Sequence, residues 1–379
     1  MPQIKNLKKV AQRIKKALKN KEKIILYGDS DVDGICSTVI LKETIENLGG
    51  EITAVYFPNR EKEGYGLTKS GLSFLSRFSP ALLFTLDCGI GNIKEAELAI
   101  KEGFKLIIID HHVVLEKLPK AELIVDPKQK GDKYPFKEFA ATGLVFKLAQ
   151  LLLKEEILKE SLLELCALAT LADKMPQVDE NELFIEKGIQ NLETSLRPGL
   201  QALLKTDFVK GAFSDMELAF RINGLLNAGS LVNHLNETYQ LLTAKSLKTA
   251  SVLAEKLLKK REINKRKIED IIKQVEDRQI GKENLPFIFE GDSWSLFLLG
   301  TVASKICQKY NKPAFLFRRG KERISGSVRL PEGFNGVEAL KSCSNLLKTY
   351  GGHPLASGFS LKEENLEDFK HCLKEYFSK

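Results

Sequence analysis

Three carboxylates at alternate positions, Asp29, Asp31 and Asp33, follow directly on the apolar run Ile24-Ile25-Leu26. Side chains two apart share a face of an extended strand, so this spacing predicts three acids pointing the same way at a strand end. Carboxylates that close repel one another and raise each other's pKa unless a divalent cation lies among them. For Asp33 a second reading stands beside ligation, the N-cap of a helix predicted to begin near Ile35. Three later stretches favour the metal. Asp87-Cys88-Gly89 follows the apolar run 81–86, Asp110-His111-His112 follows 106–109, and Asp173 closes the apolar segment 165–172. A helix C-terminus disfavours a carboxylate and burial demands a partner for it, although Asp173 also suits the polar turn before Pro176. A mixed Asp and His set suits manganese better than an all-oxygen shell does, with magnesium the alternative. Two such cations can activate a bridging water for attack on phosphorus.

The elements that must position these residues are legible from periodicity. Apolar positions at helical spacing predict a surface helix from Leu7 to Lys21, then a strand at 24–27, a helix at 35–48, and strands at 52–57, 81–86 and 106–109, with a helix at 93–102. Short apolar strands alternating with helices indicate a parallel sheet covered on both faces, whose ligands collect at the carboxyl ends of its strands. Helical pieces follow at 218–242. A lysine-rich periodic stretch from Tyr239 to Arg278, free of Gly and Pro, predicts one long helix or two joined ones. A separate C-terminal unit starts near Leu285, with strands at 286–289 and 314–317 and a helix at 299–310. Two Gly- and Ser-rich stretches, 324–329 and 350–354, are expected as its loops. Their glycines allow close backbone approach to a ligand, and Arg329 and His353 add positive charge, the parts of a phosphate or carboxylate cradle.

The 379 residues, 43% hydrophobic and 28% charged, are those of a chain with two or three globular domains. No apolar run reaches the length of a membrane span and the N-terminus lacks the apolar core of a secretory signal, so a cytoplasmic location and no membrane partner are expected. The six cysteines are scattered without a C-x-x-C pair and read as reduced and mostly buried. A net charge of +8 is compatible with a polyanionic partner. No G-x-x-x-x-G-K-[ST] loop is present, so nucleotide-driven unwinding is not expected.

The motifs Asp29-Ser30-Asp31-Val32-Asp33-Gly34, Asp87-Cys88-Gly89, Asp110-His111-His112 and Ala172-Asp173 resemble, in order, the four motifs of the DHH phosphoesterase superfamily. Gly351-Gly352-His353 is similar to the motif of its associated DHHA1 domain. Pro58-Asn59-Arg60 followed by Gly64-Tyr65-Gly66-Leu67, with Ser325-Gly326-Ser327-Val328-Arg329, is most similar to the RecJ family of single-strand-specific exonucleases. The resemblance implies an α/β chain with a parallel-sheet DHH domain at 1–240, a linker helix at 241–280 and a smaller α/β DHHA1 domain at 281–379, the active site lying in the cleft between the domains. It implies two manganese or magnesium ions, one on Asp29 and Asp31, the other on Asp33, His111 and Asp173, with Asp87 bridging. His112, beside the scissile phosphate, and Asp110 are implied as catalytic, and Arg60, Ser327, Arg329, Gly351, Gly352 and His353 as holding substrate phosphates.

Two departures bear on this expectation. Ser230 stands where the resemblance calls for an arginine, so either Arg221 takes over that phosphate contact or the contact is absent. Little more than one helix follows Gly358-Phe359, which leaves no room for an oligonucleotide-binding barrel. Weaker, less processive binding, or a replication or repair protein that supplies the missing surface, is the expected consequence. The function expected is 5′ to 3′ removal of mononucleotides from single-stranded DNA. The alternatives are a phosphoesterase acting on short oligoribonucleotides or nucleotide phosphates, and a catalytically idle scaffold.

Overall fold

The apolar runs of the N-terminal half are too short for core helices and pair instead as strands β1 (Ile24–Gly28), β2 (Ala54–Tyr56), β3 (Ala81–Leu86), β4 (Phe104–Ile109) and β5 (Leu123–Val125), all parallel, in the order β2-β1-β3-β4-β5. A computed structural model describes residues 3–114, 117–190, 192–279, 285–320 and 323–378. They form two compact units that divide between Arg261 and Glu262. Among the described residues no helix is long and apolar enough to cross a membrane.

Strand residues alternate between two cores, as a sheet buried on both faces requires. Ile24, Leu26, Phe84 and Ile107 join one core with helices α1 (Leu7–Lys19) and α2 (Val32–Asn47); Ile25, Tyr27, Leu83 and Ile108 join the other with α3 (Lys69–Leu75) and α4 (Ile93–Lys101). Because β1 lies between β2 and β3, the chain order reverses there, and the crevice at the carboxyl ends of β1 and β3 is the place such sheets reserve for ligands. The ladder runs one residue beyond three strands, through Asp29 N to Leu86 O (3.1 Å), Asp87 N to Ile109 O (3.0 Å) and Asp110 N to Val125 O (3.0 Å). Those bonds put successive strand-end aspartates at one level.

The start of α2 corrects the expectation for the first motif. The helix begins at Val32 and not near Ile35, its N-cap is Asp31, whose side chain accepts from Gly34 N at 3.1 Å, and Asp33 lies in its first turn. The three acids therefore do not share a strand face; a strand-to-helix turn gathers them. Gly34 permits that turn, since a Cβ there would lie 2.5 Å from Asp29 O. Asp33 is a cap after all, but of another helix: its carboxylate accepts Ala141 N and Thr142 N, each at 2.8 Å, at the start of α5 (Ala141–Leu152).

The rest of the first unit is helical: α6 (Glu156–Ala172), α7 (Asp179–Ile189), α8 (Pro198–Leu204), α9 (Asp215–Leu226), a hairpin of β6 (Leu231–Val232) and β7 (Leu235–Asn236), and α10 (Glu237–Leu242). The lysine-rich stretch is two helices, α10 and then α11 (Leu247–Gln279), with the unit division inside α11. The expected boundary at 280/281 lies outside the described residues.

The second unit has a five-stranded sheet of β8 (Ile288–Asp292), β9 (Ala314–Arg319), β10 (Ile324–Arg329), β11 (Leu347–His353) and β12 (Ala356–Leu361), in the order β11-β12-β10-β9-β8, with α12 (Leu296–Tyr310), α13 (Gly336–Ser342) and α14 (Leu366–Phe377). Both stretches expected as Gly-rich loops are strands, β10 and β11. Their small residues serve close packing: a Cβ on Gly326 would lie 2.3 Å from the Phe359 ring, and Gly352, at φ +127°, leaves room for Ala356 O. The cysteine expectation also changes, because Cys343 and Cys372 form a disulfide; Cys36, Cys88, Cys166 and Cys307 are free and buried.

Candidate metal centre

Three separate segments bring acids to one imidazole. His111 Nε2 lies 3.2 Å from Asp87 Oδ1, 3.6 Å from Asp173 Oδ2 and 3.7 Å from Asp33 Oδ2. His111 Nδ1 lies 2.7 Å from the Phe139 carbonyl, an acceptor only, so that nitrogen carries the proton and Nε2 turns its lone pair toward the carboxylates. A lone pair facing three acids is repulsive as it stands and is the arrangement a shared cation reverses. Asp87 Oδ1 and Asp173 Oδ2 are buried and take no hydrogen bond. Ligand atoms of Asp33, Asp87 and His111 lie within 4.8 Å of one another, and so do those of Asp29, Asp31 and Asp87. The donor set thus fits two cations with Asp87 common to both.

Local backbone places these groups at some cost. Asp87 has φ +61°, a left-handed conformation uncommon outside glycine, directly at the end of β3. Asp173 is the C-cap of α6, where the helix dipole opposes its charge. Burial, then the neighbouring carboxylates, push the pKa of Asp87 and of Asp173 well up, and burial carries Asp33 to about 6.

Asp29 and Asp31 carry a different charge balance. Arg60 Nε donates to Asp29 Oδ1 and Arg60 NH2 to Asp31 Oδ2, each at 2.9 Å. Arg60, expected at a substrate phosphate, thus sits on two of the expected ligands. His112 is held at Nδ1 by Asp110 Oδ1 at 2.8 Å. Burial alone would lower the His112 pKa, but the charge and hydrogen bond of Asp110 outweigh it and raise the value to about 9, while the same pairing holds Asp110 well below the usual carboxylate range.

In the second unit the register aligns the expected phosphate contacts. Arg329 pairs with Ala356 and Ala356 with His353; Ser327 pairs with Gly358 and Gly358 with Gly351. Directly paired residues share a face, so Ser327, Arg329, Gly351 and His353 lie on one side of the sheet. Gly352 falls between them in parity and holds the strand's shape. Arg329 NH1 donates to Ser327 Oγ at 3.0 Å, and Gly351 has open space where a side chain would be.

The DHH family, N-terminal domain, matches residues 23–170, and the DHHA1 domain matches 284–379. The chain thus carries the N-terminal domain of the DHH family and a DHHA1 domain. Similar to it is the single-stranded-DNA-specific exonuclease RecJ of Bacillus subtilis (strain 168), 35% identical over 98% of this chain and 48% of that protein. RecJ of Thermus thermophilus is 30% identical over 98% of this chain and 54% of that protein. This chain therefore spans about half the length of these two relatives. A crystal structure of exonuclease RecJ bound to manganese matches with a TM-score of 0.78 and 28% identity over 100% of this chain and 95% of that one. RecJ of Thermus thermophilus in complex with Mn2+ matches with a TM-score of 0.82 and 27% identity over 99% of this chain and 55% of that one.

Three residues that shape these sites were missed in the sequence. Asp126, the first residue past β5, is fully buried with Oδ2 unpartnered, and burial followed by the charge of Asp110 raises its pKa to about 7. It makes a fourth strand-end aspartate; the signal was the apolar triplet Leu123-Ile124-Val125 before Asp126-Pro127. Tyr65, on the segment already singled out, donates its hydroxyl to Asp87 O at 3.2 Å and stands 3.2 Å from His112 Nε2. In the DHHA1 domain Gly300 of α12 leaves room for Arg329, whose NH2 would lie 2.9 Å from a Cβ there. Of the two alternatives for Arg221, the one in which it takes over the phosphate contact finds no support. Its guanidinium is bound to Glu217 and to the carbonyls of Phe208 and Lys210, and the cation at Ser230 is Lys260.

Proposed function

We propose that this chain is a manganese- or magnesium-dependent exonuclease of the RecJ kind, removing 5′-mononucleotides from single-stranded DNA in the 5′ to 3′ direction. The observation that carries the reading is His111 Nε2 facing Asp33, Asp87 and Asp173 within 3.2–3.7 Å, with buried carboxylate oxygens left for a cation. Asp29 and Asp31 would hold one ion and Asp33, His111 and Asp173 the other, with Asp87 between them. When bound, the two ions supply an activated water and neutralise charge on the phosphate. The RecJ structures bound to manganese support that choice of metal.

The chain's own groups do the rest. Asp110 fixes His112 as a cation through neutral pH, where it can neutralise a phosphate oxygen or deliver a proton to the leaving oxygen. Tyr65 steadies that imidazole by its hydroxyl. Ser327, Arg329 and His353, with Gly351 of β11, offer a sheet face carrying the Arg329 charge on which phosphates can lie. Residues 1–240 are read as catalytic, 241–280 as linker and 281–379 as substrate-binding, acting on chromosomal single strands in the cytoplasm alongside a replication or repair protein.

The test is digestion, with manganese or magnesium, of a long 5′-phosphorylated DNA strand and, separately, of an RNA of a few nucleotides, following product length in time. Stepwise mononucleotide release from the 5′ end of the DNA is expected. Consumption of the short RNA alone would overturn the DNA reading in favour of a small-substrate phosphoesterase.

A further inference from the structure

Next to the carboxylate cluster, but lined by other side chains, the first unit has an open cleft of about 690 Å³. Three rings in mutual contact form its wall. The His234 ring lies 4.7 Å from that of Tyr56, with planes 19° apart, and 4.6 Å from that of Phe74, while Tyr56 and Phe74 are 5.4 Å apart. His234 is held there by the β6–β7 turn, in which Asn233 and His234 both have positive φ, 51° and 65°. Asparagine and histidine are among the non-glycine residues that adopt this left-handed region most readily. The tip is tied down by Phe57 N, which donates to the His234 carbonyl at 3.0 Å.

Two cations border the rings. The exposed Arg77 has its guanidinium 4.2 Å from the Phe74 ring centre, with Nε donating to Phe74 O. Lys62 lines the same cleft, and neither cation has a carboxylate partner among the described residues. The one acid in the wall, Glu63, already accepts from Asn59 N, Tyr56 OH, Ser70 Oγ and Thr68 Oγ1. Stacking rings beside unpaired cations are what single-stranded nucleic acid needs, because every base has a π-face and every linkage a negative charge.

The cleft shares two loops with the metal centre. Asn59 in its wall precedes Arg60, which binds Asp29 and Asp31, and Asn236 of the hairpin donates to Ser30 O at 3.3 Å. We propose that this cleft is a subsite for one nucleotide of a single strand whose neighbouring linkage lies at the carboxylate cluster. Its base stacks on Phe74 and His234 and its phosphate sits between Lys62 and Arg77. The assignment rests on the exonuclease reading and adds a determinant of strand affinity to it.

The probe is a fluorescein-labelled phosphorothioate oligothymidylate that resists hydrolysis, bound to the full chain in manganese and followed by anisotropy. Lys62→Ala combined with Arg77→Ala should weaken binding about tenfold and flatten its salt dependence. His234→Ala should weaken it by a similar factor with little change in salt dependence, and Lys187→Ala, an exposed lysine of α7, should leave it unchanged. The double variant alters exposed charges only, so it carries the test if His234→Ala fails to fold. Wild-type affinity in the double variant overturns the subsite while leaving the exonuclease reading standing. Absence of oligonucleotide binding by the unaltered chain overturns both.

Discussion

Asp110 fixes His112 through the 2.8 Å contact to Nδ1, and the same carboxylate accepts the backbone N–H groups of Ile90, His111 and His112. Its charge is the reason the imidazole stays protonated to about pH 9. A pKa raised on folding adds stability that is full below the ordinary value of 6.5 and is lost as pH rises through about 9. Asp110→Asn should lower the His112 pKa by roughly 1–2 units and move the alkaline limb of the activity profile down with it. An NMR titration of His112 that still centres near 9 would show that Asp110 is not the cause.

Asp87 is the acid common to both candidate cation positions. Asp87→Ala should cost turnover more than the roughly 10–100-fold typical of groups outside the coordination sphere. Calorimetric titration with Mn2+ should show weaker binding at both positions, while retained oligonucleotide binding reports an intact fold. Two undisturbed Mn2+ affinities in the variant would remove Asp87 from the centre.

Buried carboxyls with raised pKa must give up protons to accept a cation. Asp33 at about 6 predicts proton release on Mn2+ binding near pH 6, and Asp87 and Asp173, both pushed well up, add to that release. Without cation, the contribution of Asp33 to stability falls as pH rises from 3.8 through about 6. Added Mn2+ should therefore raise Tm more at pH 7 than at pH 5. Calorimetry in buffers of different ionisation heat measures the protons directly.

Arg60 and a cation would compete for the oxygens of Asp29 and Asp31. Arg60→Ala should tighten Mn2+ binding at that pair several-fold and weaken binding of a phosphorylated strand. Manganese affinity that falls in the variant would mean that Arg60 instead organises the two acids for the ion.

Glu237 is fully buried and paired with Lys256 at 2.6 Å and with Lys260. Burial alone would raise its pKa, and the two lysines bring it down to about 2. The stability this confers is present above 4.5 and is lost as pH falls through about 2. Glu237→Gln removes the partner of two partly exposed lysines and should cost roughly 1 kcal/mol at pH 7, read by denaturant unfolding. A variant as stable as the parent would assign the pairing to the surface.

Residue type and spacing determined the chemistry and the architecture. Uniformly apolar runs of four to six residues, too short for core helices and alternating with helical segments, read as buried parallel strands, and an aspartate directly after such a run emerges at the sheet's carboxyl edge. That is why Asp29, Asp87, Asp110 and His111 were legible along with the sheet that carries them. Tertiary structure decided what depends on partners distant in sequence. Asp33 caps α5, more than a hundred residues away, and Arg60 occupies Asp29 and Asp31. The glycine-rich stretches 324–329 and 350–354 lie in strands whose partners pack into the space the glycines leave, Phe359 against Gly326 and Ala356 O against Gly352. β5 was too short to stand out, so Asp126 and its orphaned oxygen went unseen. Local sequence encodes which face of an element is apolar; it does not encode which far-off donor will meet a buried charge, because only close packing brings the two together.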